Sequence, residues 1–321
     1  MPNTNPLTTT PEALEHKIKR GTETAYTDFA YYFGGTFENS KNLPLWEKLD
    51  GVCGIKIFMG ASTGNLLSAT DEEVEAVVAN GNRVIAVHAE DEFLMNENKK
   101  TILKDSNDVG MHCKWRDVNS SLNATKRVVS LAKKHNRHVH VLHITTAEEM
   151  DYLRNHKDTA TVEVLPNHLT FHAPDCYEQL GTLAQQNPPI REKHHQDALW
   201  QAINDGTVDI VASDHAPHTL EEKSGTYPNT PSGTPGVQTL LPVMLNHAAN
   251  GKLSYERVVE LMAYGPIKVH KLKNKCLISE DYDADFTIVD PKMNHTISNA
   301  EQASKSGWTP YDGMKITGMP K

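Results

Sequence analysis

Four residues close apolar runs and carry side chains able to hold a metal ion or move a proton: Lys56, His88, His143 and Asp214. Counted by twos along an extended chain, Lys56 shares a face with Gly54 and Val52, and His88 with Ala86 and Val84. His143 aligns in the same way with Val141 and Val139, and Asp214 with Ala212 and Ile210. Each candidate therefore sits on an apolar, inward-type face at the C-terminal end of its run. One histidine in such a position is more often a hydrogen-bonded structural residue, but four equivalent coincidences point to a site. Imidazole nitrogens with a carboxylate suit Zn²⁺, which lowers the pKa of bound water to roughly 7. Lys56 has two readings. Its ammonium pairs with an acidic side chain, because an unpaired buried ammonium is costly. Alternatively its amine has reacted with CO₂, giving an anionic group whose two oxygens bridge two metals about 3.5–4 Å apart. His138 and His140 form an H-x-H pair, yet they begin a run and lie on the face opposite His143, so they are expected to point away from the site. His215 likewise points away from Asp214; for His168, in PNHLTF, the choice stays open with a structural role favoured.

The elements that must position these residues alternate between strand and helix. Val52 to Phe58 is a compact apolar run of strand length, and further strands are expected at 83–88, 138–143, 161–165 and 208–213. Thr10-Pro11 reads as an N-cap followed by proline at the first helical position, with Leu14 and Ile18 one turn apart. Thr70 to Glu73 is a capping box, and Val74, Val77 and Val78 keep helical spacing until Gly81. Helices are also expected at about 120–135, after the cap Thr146-Ala-Glu-Glu149, and at about 194–204. Such alternation with nearly continuous apolar strands means a parallel sheet covered by helices. A closed (β/α) barrel is the leading architecture, with an open doubly wound sheet second. No G-x-G-x-x-G follows any strand, which weakens the dinucleotide-binding form of the second. In parallel barrels, active sites form at the C-terminal ends of the strands. The organisation expected is a barrel domain over 1–270 and a segment over 271–321 contributing to a small β-domain, with DYDADFTIVD at 281–290 turning into a strand.

Composition narrows the class. Lys and Arg number 32 against 41 for Asp and Glu, a net charge of −9, whereas a nucleic-acid binder usually carries a basic patch. No apolar run approaches the ~18 residues of a membrane span, and the polar N-terminus lacks the apolar core of a signal peptide. Cysteines at 53, 113, 176 and 276 form no C-x-x-C pair and read as reduced thiols. The expectation is a soluble, cytoplasmic, metal-dependent enzyme acting on a small molecule, with no nucleic acid or membrane partner.

At this point the motifs resemble a known family. MPNT at 1–4, GIKIFMGASTGN at 54–65, VHAEDE at 87–92, HVLHITTAEE at 140–149, NPPIRE at 187–192 and SDHAPH at 213–218 occur in the order found in dihydroorotases, members of the amidohydrolase superfamily. The resemblance runs from Met1 to about residue 290. It implies a (β/α)8 barrel with a small β-sandwich, one or two Zn²⁺ ions, and interconversion of dihydroorotate and N-carbamoylaspartate in pyrimidine synthesis. By position, Lys56 resembles the carboxylated bridging lysine, His88 and His143 the single-histidine ligands, and Asp214 the metal-bound catalytic carboxylate. Asn3 resembles the asparagine that holds the substrate carboxylate, and His218 the histidine four residues past the aspartate. Asn187 and Arg191 match the N-P-P-x-R segment that contacts substrate, and Gly233 a loop whose backbone faces the ring; an ordinary turn before a helix is the other reading of Gly233. The resemblance implies a metal that would supply a hydroxide to attack the ring amide carbonyl, with Asp214 taking its proton and returning it to the leaving nitrogen. Asn3, Arg191 and His218 supply donors to an anionic carboxylate.

The chain departs from the family at its ends. The family's metal-binding H-x-H lies on the first barrel strand, upstream of M-P-N-T, and this sequence begins at Met1 of that tetrapeptide. The first strand is therefore expected to be missing and the β-sandwich to be a remnant. A fragment of a longer protein is the favoured explanation, ahead of a degenerate relative or completion by a partner. Other readings are a dihydropyrimidinase, hydantoinase or allantoinase, and a non-catalytic homologue. M-P-N-T, N-P-P-I-R and D-x-x-x-H favour dihydroorotase because they address a substrate carboxylate. A homo-oligomer or another enzyme of the pathway is the protein partner expected.

Overall fold

The computed structural model describes residues 1–62, 66–104 and 106–321, so the last three residues of GIKIFMGASTGN lie outside the described residues. The chain divides into two compact units. Residues 1–97, 117–142 and 151–161 form the first, and 98–116, 143–150 and 162–321 the second.

The first unit is built on parallel strands β1 (Tyr31–Gly34), β2 (Val52–Phe58), β3 (Ile85–His88) and β4 (Val139–Val141), each paired with the next. Ile55, Ile57, Ile85, Val87, Val139 and Val141 on one face, and Lys56, Ala86 and His140 on the other, are at most 1 % exposed, so both faces are buried. That is why these strands read as unbroken apolar runs instead of alternating ones. Around them lie the helices Pro11–Thr24, Asp71–Val78 and Val118–Lys134. Thr10 Oγ1 accepts from Ala13 N, Thr70 makes both halves of its capping box, and Asp117 Oδ1 accepts from Ser120 N at 2.8 Å. Helix Val118–Lys134 buries Ala124, Val128, Val129 and Ala132, a stripe at helical spacing. The first two residues of β5 (Ala160–Val164) belong to this unit, where His140 Nδ1 meets Thr161 Oγ1 at 2.9 Å.

In the second unit the rest of β5 pairs in parallel with β6 (Ile210–Val211), through Glu163 opposite Ile210 and Val164 opposite Val211. Within each unit the strand order follows the chain, β1 to β4 in the first and β5 to β6 in the second. The C-terminal segment contributes an antiparallel pair, β7 (Val289–Thr296) with β8 (Lys315–Pro320). This pair packs on helix Leu240–Ala249, with Val243, Ile297, Tyr311 and Ile316 as a buried cluster.

Three expectations change. Strand β1 follows no apolar run; its tyrosines are only half-buried, so YYFG carries no strong pattern. Strands β4 and β6 are shorter than 138–143 and 208–213, which leaves His143 two residues, and Asp214 three residues, past their strands. The tail strand begins at Val289, not within 281–288. There Lys275 Nζ draws in Asp283 at 2.8 Å and Asp285 at 2.5 Å, and Asp281 has φ +66°, so the acidic run wraps a lysine instead of extending.

Helix Leu240–Ala249 also carries His247, whose Nε2 lies 2.9 Å from Thr170 Oγ1 and whose ring meets Trp200 edge-on. Burial, with Lys252 adding to it, pushes this imidazole down to about 4. An unfolded histidine titrates near ~6.5. Between those values the unfolded chain binds a proton that the folded one refuses, so stability falls as pH falls through that window. Urea unfolding at pH 5 should give roughly 2 kcal/mol less stability from this group than at pH 7. His247→Gln should remove that part of the loss; an unchanged pH difference in the variant would show that His247 does not contribute.

Candidate active site

In the first unit the candidate residues collect at the C-terminal ends of β1 to β3. Register sets Gly34 beside Lys56, Lys56 beside Ala86, and Phe58 beside His88. Lys56 is 1 % exposed; its Nζ donates to Ile57 O at 3.1 Å and lies 3.8 Å from the centre of the Phe58 ring. The other side of that aromatic neighbourhood is His88, 5.7 Å from Phe58 ring to ring. His88 Nε2 lies 2.9 Å from Glu90 Oε2, and both side chains are buried. Glycine is required nearby: a Cβ on Gly60 would stand 2.5 Å from Glu90 O. Asn3, half-buried, belongs to a loop pinned to the end of β1, since Thr8 N donates to Pro2 O at 2.9 Å and Gly34 N to Thr8 O at 2.8 Å. The structure thus brings Asn3, Lys56 and His88 to neighbouring strand ends and adds Glu90.

The second unit holds the others. His143 follows β4 with φ +40°, and its N–H donates to Glu163 Oε1 at 3.3 Å. Asp214 follows β6 with φ +42° and is half-buried. Left-handed backbone at a residue other than glycine costs roughly 1–3 kcal/mol and clusters at functional positions. Arg191 is buried, with Nε donating to Thr145 Oγ1 at 2.8 Å and Nη1 to Arg116 O at 2.9 Å. His218 Nδ1 lies 3.5 Å from Glu222 Oε2, and its carbonyl accepts the Trp308 indole N–H at 2.7 Å.

Asn187 is oriented by a chain of hydrogen bonds whose direction is determined. Trp115 Nε1 only donates, here to Tyr227 OH at 2.7 Å. His112 Nε2 faces Gln186 O at 3.1 Å, which only accepts, so that nitrogen carries the proton. The same N–H reaches Asn187 Oδ1 at 2.9 Å, while Nδ1 accepts from Tyr227 OH at 3.2 Å. Asn187 therefore has its oxygen engaged and its amide donors left to turn elsewhere. Burial pushes the Tyr227 hydroxyl up to about 12, which keeps it a donor.

Gly233 sits at φ +136°, and a Cβ there would lie 2.6 Å from Ala216 O, so a close backbone approach accounts for the glycine. The His218 ring lies 3.4 Å from the same point. His215 has a loop-holding role, since its Nδ1 accepts from Gly236 N at 3.0 Å and Val237 N at 3.3 Å. His168 is buried among structural groups, its Nε2 lying 3.2 Å from Pro188 O.

The sequence profile of the amidohydrolase family matches residues 13–314. The chain belongs to that family. It is 35 % identical to a protein named dihydroorotase from Methanosarcina acetivorans, over 98 % of this chain and 69 % of the relative. It is 34 % identical to one of the same name from Methanosarcina mazei, over 98 % of this chain and 71 % of the relative. Among solved structures it is similar to the L-hydantoinase (dihydropyrimidinase) of Arthrobacter aurescens, with a TM-score of 0.93 and 28 % identity, over 100 % of this chain and 73 % of the other. As an amidohydrolase it has the family's α/β-barrel fold and is a hydrolase acting on cyclic amides. Among the described residues no helix is long and apolar enough to cross a membrane.

Several residues here were not singled out by sequence reasoning: Glu90, His112, Tyr227 and the fully buried Lys223. Glu90 had a usable signal, a second titratable group two residues after His88. His112, Tyr227 and Lys223 lie in polar stretches with no periodicity, and only the fold brings them inside. Tyr227→Phe tests the oriented chain. It removes a hydroxyl that serves both Trp115 N–H and His112 Nδ1, so unfolding should show a loss of about 1–3 kcal/mol. A loss indistinguishable from zero would mean that these partners are satisfied without it.

Proposed function

We propose that this amidohydrolase interconverts dihydroorotate and N-carbamoylaspartate, using Zn²⁺, as a step of pyrimidine synthesis in the cytoplasm. The observation that carries the reading is the 35 % identity, over nearly the whole chain, to a relative named dihydroorotase. The donors the chain offers agree with it. Asn3, Asn187, Arg191 and His218 are the groups we assign to the substrate carboxylate and ring, and the Gly233 backbone to the ring face. A guanidinium and oriented amides suit a carboxylate that plain dihydropyrimidines lack.

The residues present fit a zinc ion by their chemistry. In the first unit an amine, an imidazole and a carboxylate (Lys56, His88, Glu90) share one buried strand end, an arrangement that is expensive unless it serves a charge. In the second, His143 and Asp214 are both held in left-handed backbone. We assign Lys56, His88, His143 and Asp214 as ligands, with Lys56 carboxylated by CO₂. When bound, zinc supplies a Lewis acid for the amide carbonyl and a nucleophilic water at neutral pH. Asp214 receives the proton of the attacking water and delivers it to the ring nitrogen as the C–N bond breaks, first base and then acid.

A second reading, a hydantoinase-type enzyme, is favoured by the TM-score of 0.93 to the L-hydantoinase. Turnover of dihydroorotate and of hydantoins by the same preparation separates the two, the first reading expecting the former only. Asp214→Asn should lower turnover by about 10²–10⁴-fold with an unchanged unfolding midpoint. Near wild-type turnover would remove Asp214 from the proton path. Lys56→Ala should lower zinc per chain in elemental analysis, and native intact mass should show a carboxylate on the wild type only. Equal zinc in both proteins would exclude Lys56 as a ligand.

A further inference from the structure

Lys223 ends the short helix Leu220–Lys223 and has no exposed surface. Its ammonium has three N–H donors, and three backbone carbonyls receive them: Gln185 O at 3.0 Å, Pro231 O at 2.9 Å and Gly233 O at 3.2 Å. None of these partners is a carboxylate; besides the three carbonyls the Nζ has the Trp308 ring, its centre 6.0 Å away, and burial pushes the amine down to about 7. Gln185 ties the same loop from its own side. Gly233 N donates to Gln185 O at 2.9 Å, Gln185 Nε2 donates to Thr230 O at 2.9 Å and Ser232 Oγ at 3.1 Å, and Thr230 Oγ1 donates to Gln185 Oε1.

The loop that Lys223 grips has its far side against the segment after Asp214. Ala216 N donates to Thr234 O at 3.0 Å, and His215 bridges Thr234 in parallel. Gly233 meets Ala216 O and the His218 ring so closely that no side chain fits there. Gln185 is two residues from Asn187. Lys223 therefore stands where three segments join, those carrying Asn187, Gly233 and His218, and it touches none of the groups assigned to the chemistry except through the Gly233 carbonyl.

We propose that Lys223 is a positioning residue for substrate recognition, its ammonium fixing loop 230–234 so that the Gly233 backbone and the His218 ring keep one geometry toward the cyclic substrate. This rests on the functional reading above. A long cation that gathers three carbonyls pre-organises a loop whose own composition, TPSGT, would not hold it. Its effect belongs to binding, because the groups that move protons and hold metal lie elsewhere.

The test compares wild type with Lys223→Met, which keeps length and burial and removes the donors. Dihydroorotate affinity is measured by calorimetry in an Asp214→Asn background, where turnover is stopped, and KM and kcat in the active background. Zinc content and unfolding midpoint are taken on the same preparations. The expected result is a Kd and KM raised about tenfold or more, with kcat changed by less than about threefold and zinc unchanged. A lower unfolding midpoint with unchanged Kd would overturn the proposal and leave Lys223 a residue of the core. If Lys223→Met does not fold, Lys223→Gln decides, since its two amide donors cannot serve all three carbonyls and it carries no charge. A Kd raised several-fold supports the proposal and an unchanged Kd overturns it. Wild type that does not bind dihydroorotate overturns the functional reading and this inference with it, whereas equal affinity of wild type and variant overturns this inference alone.

Discussion

Charge taken out of water at a strand end is the constraint around which the first unit is built. Lys56, His88 and Glu90 are each at most 1 % exposed, and an isolated ion in such surroundings would cost far more than a domain's net stability. The sheet bears this through register. Strands β2 and β3 are buried on both faces, so a slip of one residue would exchange Lys56 for Ile55 or Ile57 and turn an amine into the apolar packing. The Phe58 ring face and the Ile57 carbonyl then supply partial negative charge where the amine sits. Arg127 reaches Asp91 Oδ2 at 3.0 Å and Asp71 Oδ1 at 2.7 Å, holding the segment after His88 to the helices that cover the sheet.

The second unit meets the same constraint by chains of hydrogen bonds. One chain begins in an obligate donor and ends in an obligate acceptor, from Trp115 through Tyr227 and His112 to Gln186 O, with a branch to Asn187. A second chain runs from Tyr311 OH to Asn167 Oδ1 at 2.6 Å, and from Asn167 Nδ2 to Gln186 Oε1 at 2.7 Å and Thr234 Oγ1 at 2.8 Å. Tyr311 is also part of the apolar cluster under β7 and β8. The C-terminal pair is thus coupled to the segment bearing Asn187 through one side chain that is hydrophobic at its ring and a donor at its tip. A network of this kind is worth having only when every member is satisfied, because a buried half-satisfied group costs more than an apolar one.

How much of this could be read from sequence depended on whether the signal was local. The capping boxes, the apolar strands and the helix Lys193–Asn204 were legible because each is specified by residues within one or two turns. Strand β1 was not, because YYFG gains its identity only from pairing with β2. Within DYDADFTIVD the strand starts only at Val289, because Phe286 and Ile288 are both 69 % exposed in a segment organised by Lys275. At the candidate site, Lys56 and His88 could be found by counting along strands. His112, Tyr227 and Lys223 could not, since each meets its partners across long stretches of chain and no periodicity announces a buried polar residue.

His143 and Asp214, which counting by twos set on inward faces, are not aimed by the pleat. Alternation ceases at the strand ends, two and three residues before them, so the pleat does not aim these side chains. What aims them is a left-handed turn of the backbone at φ +40° and +42°. Glycine would adopt that turn without cost, and the sequence places glycine at Gly81, Gly206 and Gly251 where the chain also takes positive φ. A histidine and an aspartate retained at such positions each carry roughly 1–2 kcal/mol of steric cost. Glycine would relieve that cost and remove the imidazole and the carboxylate. Other non-glycine residues with positive φ, such as Lys104, Asn136 and Lys271, follow helices, whereas His143 and Asp214 stand just past the ends of strands too short to point them.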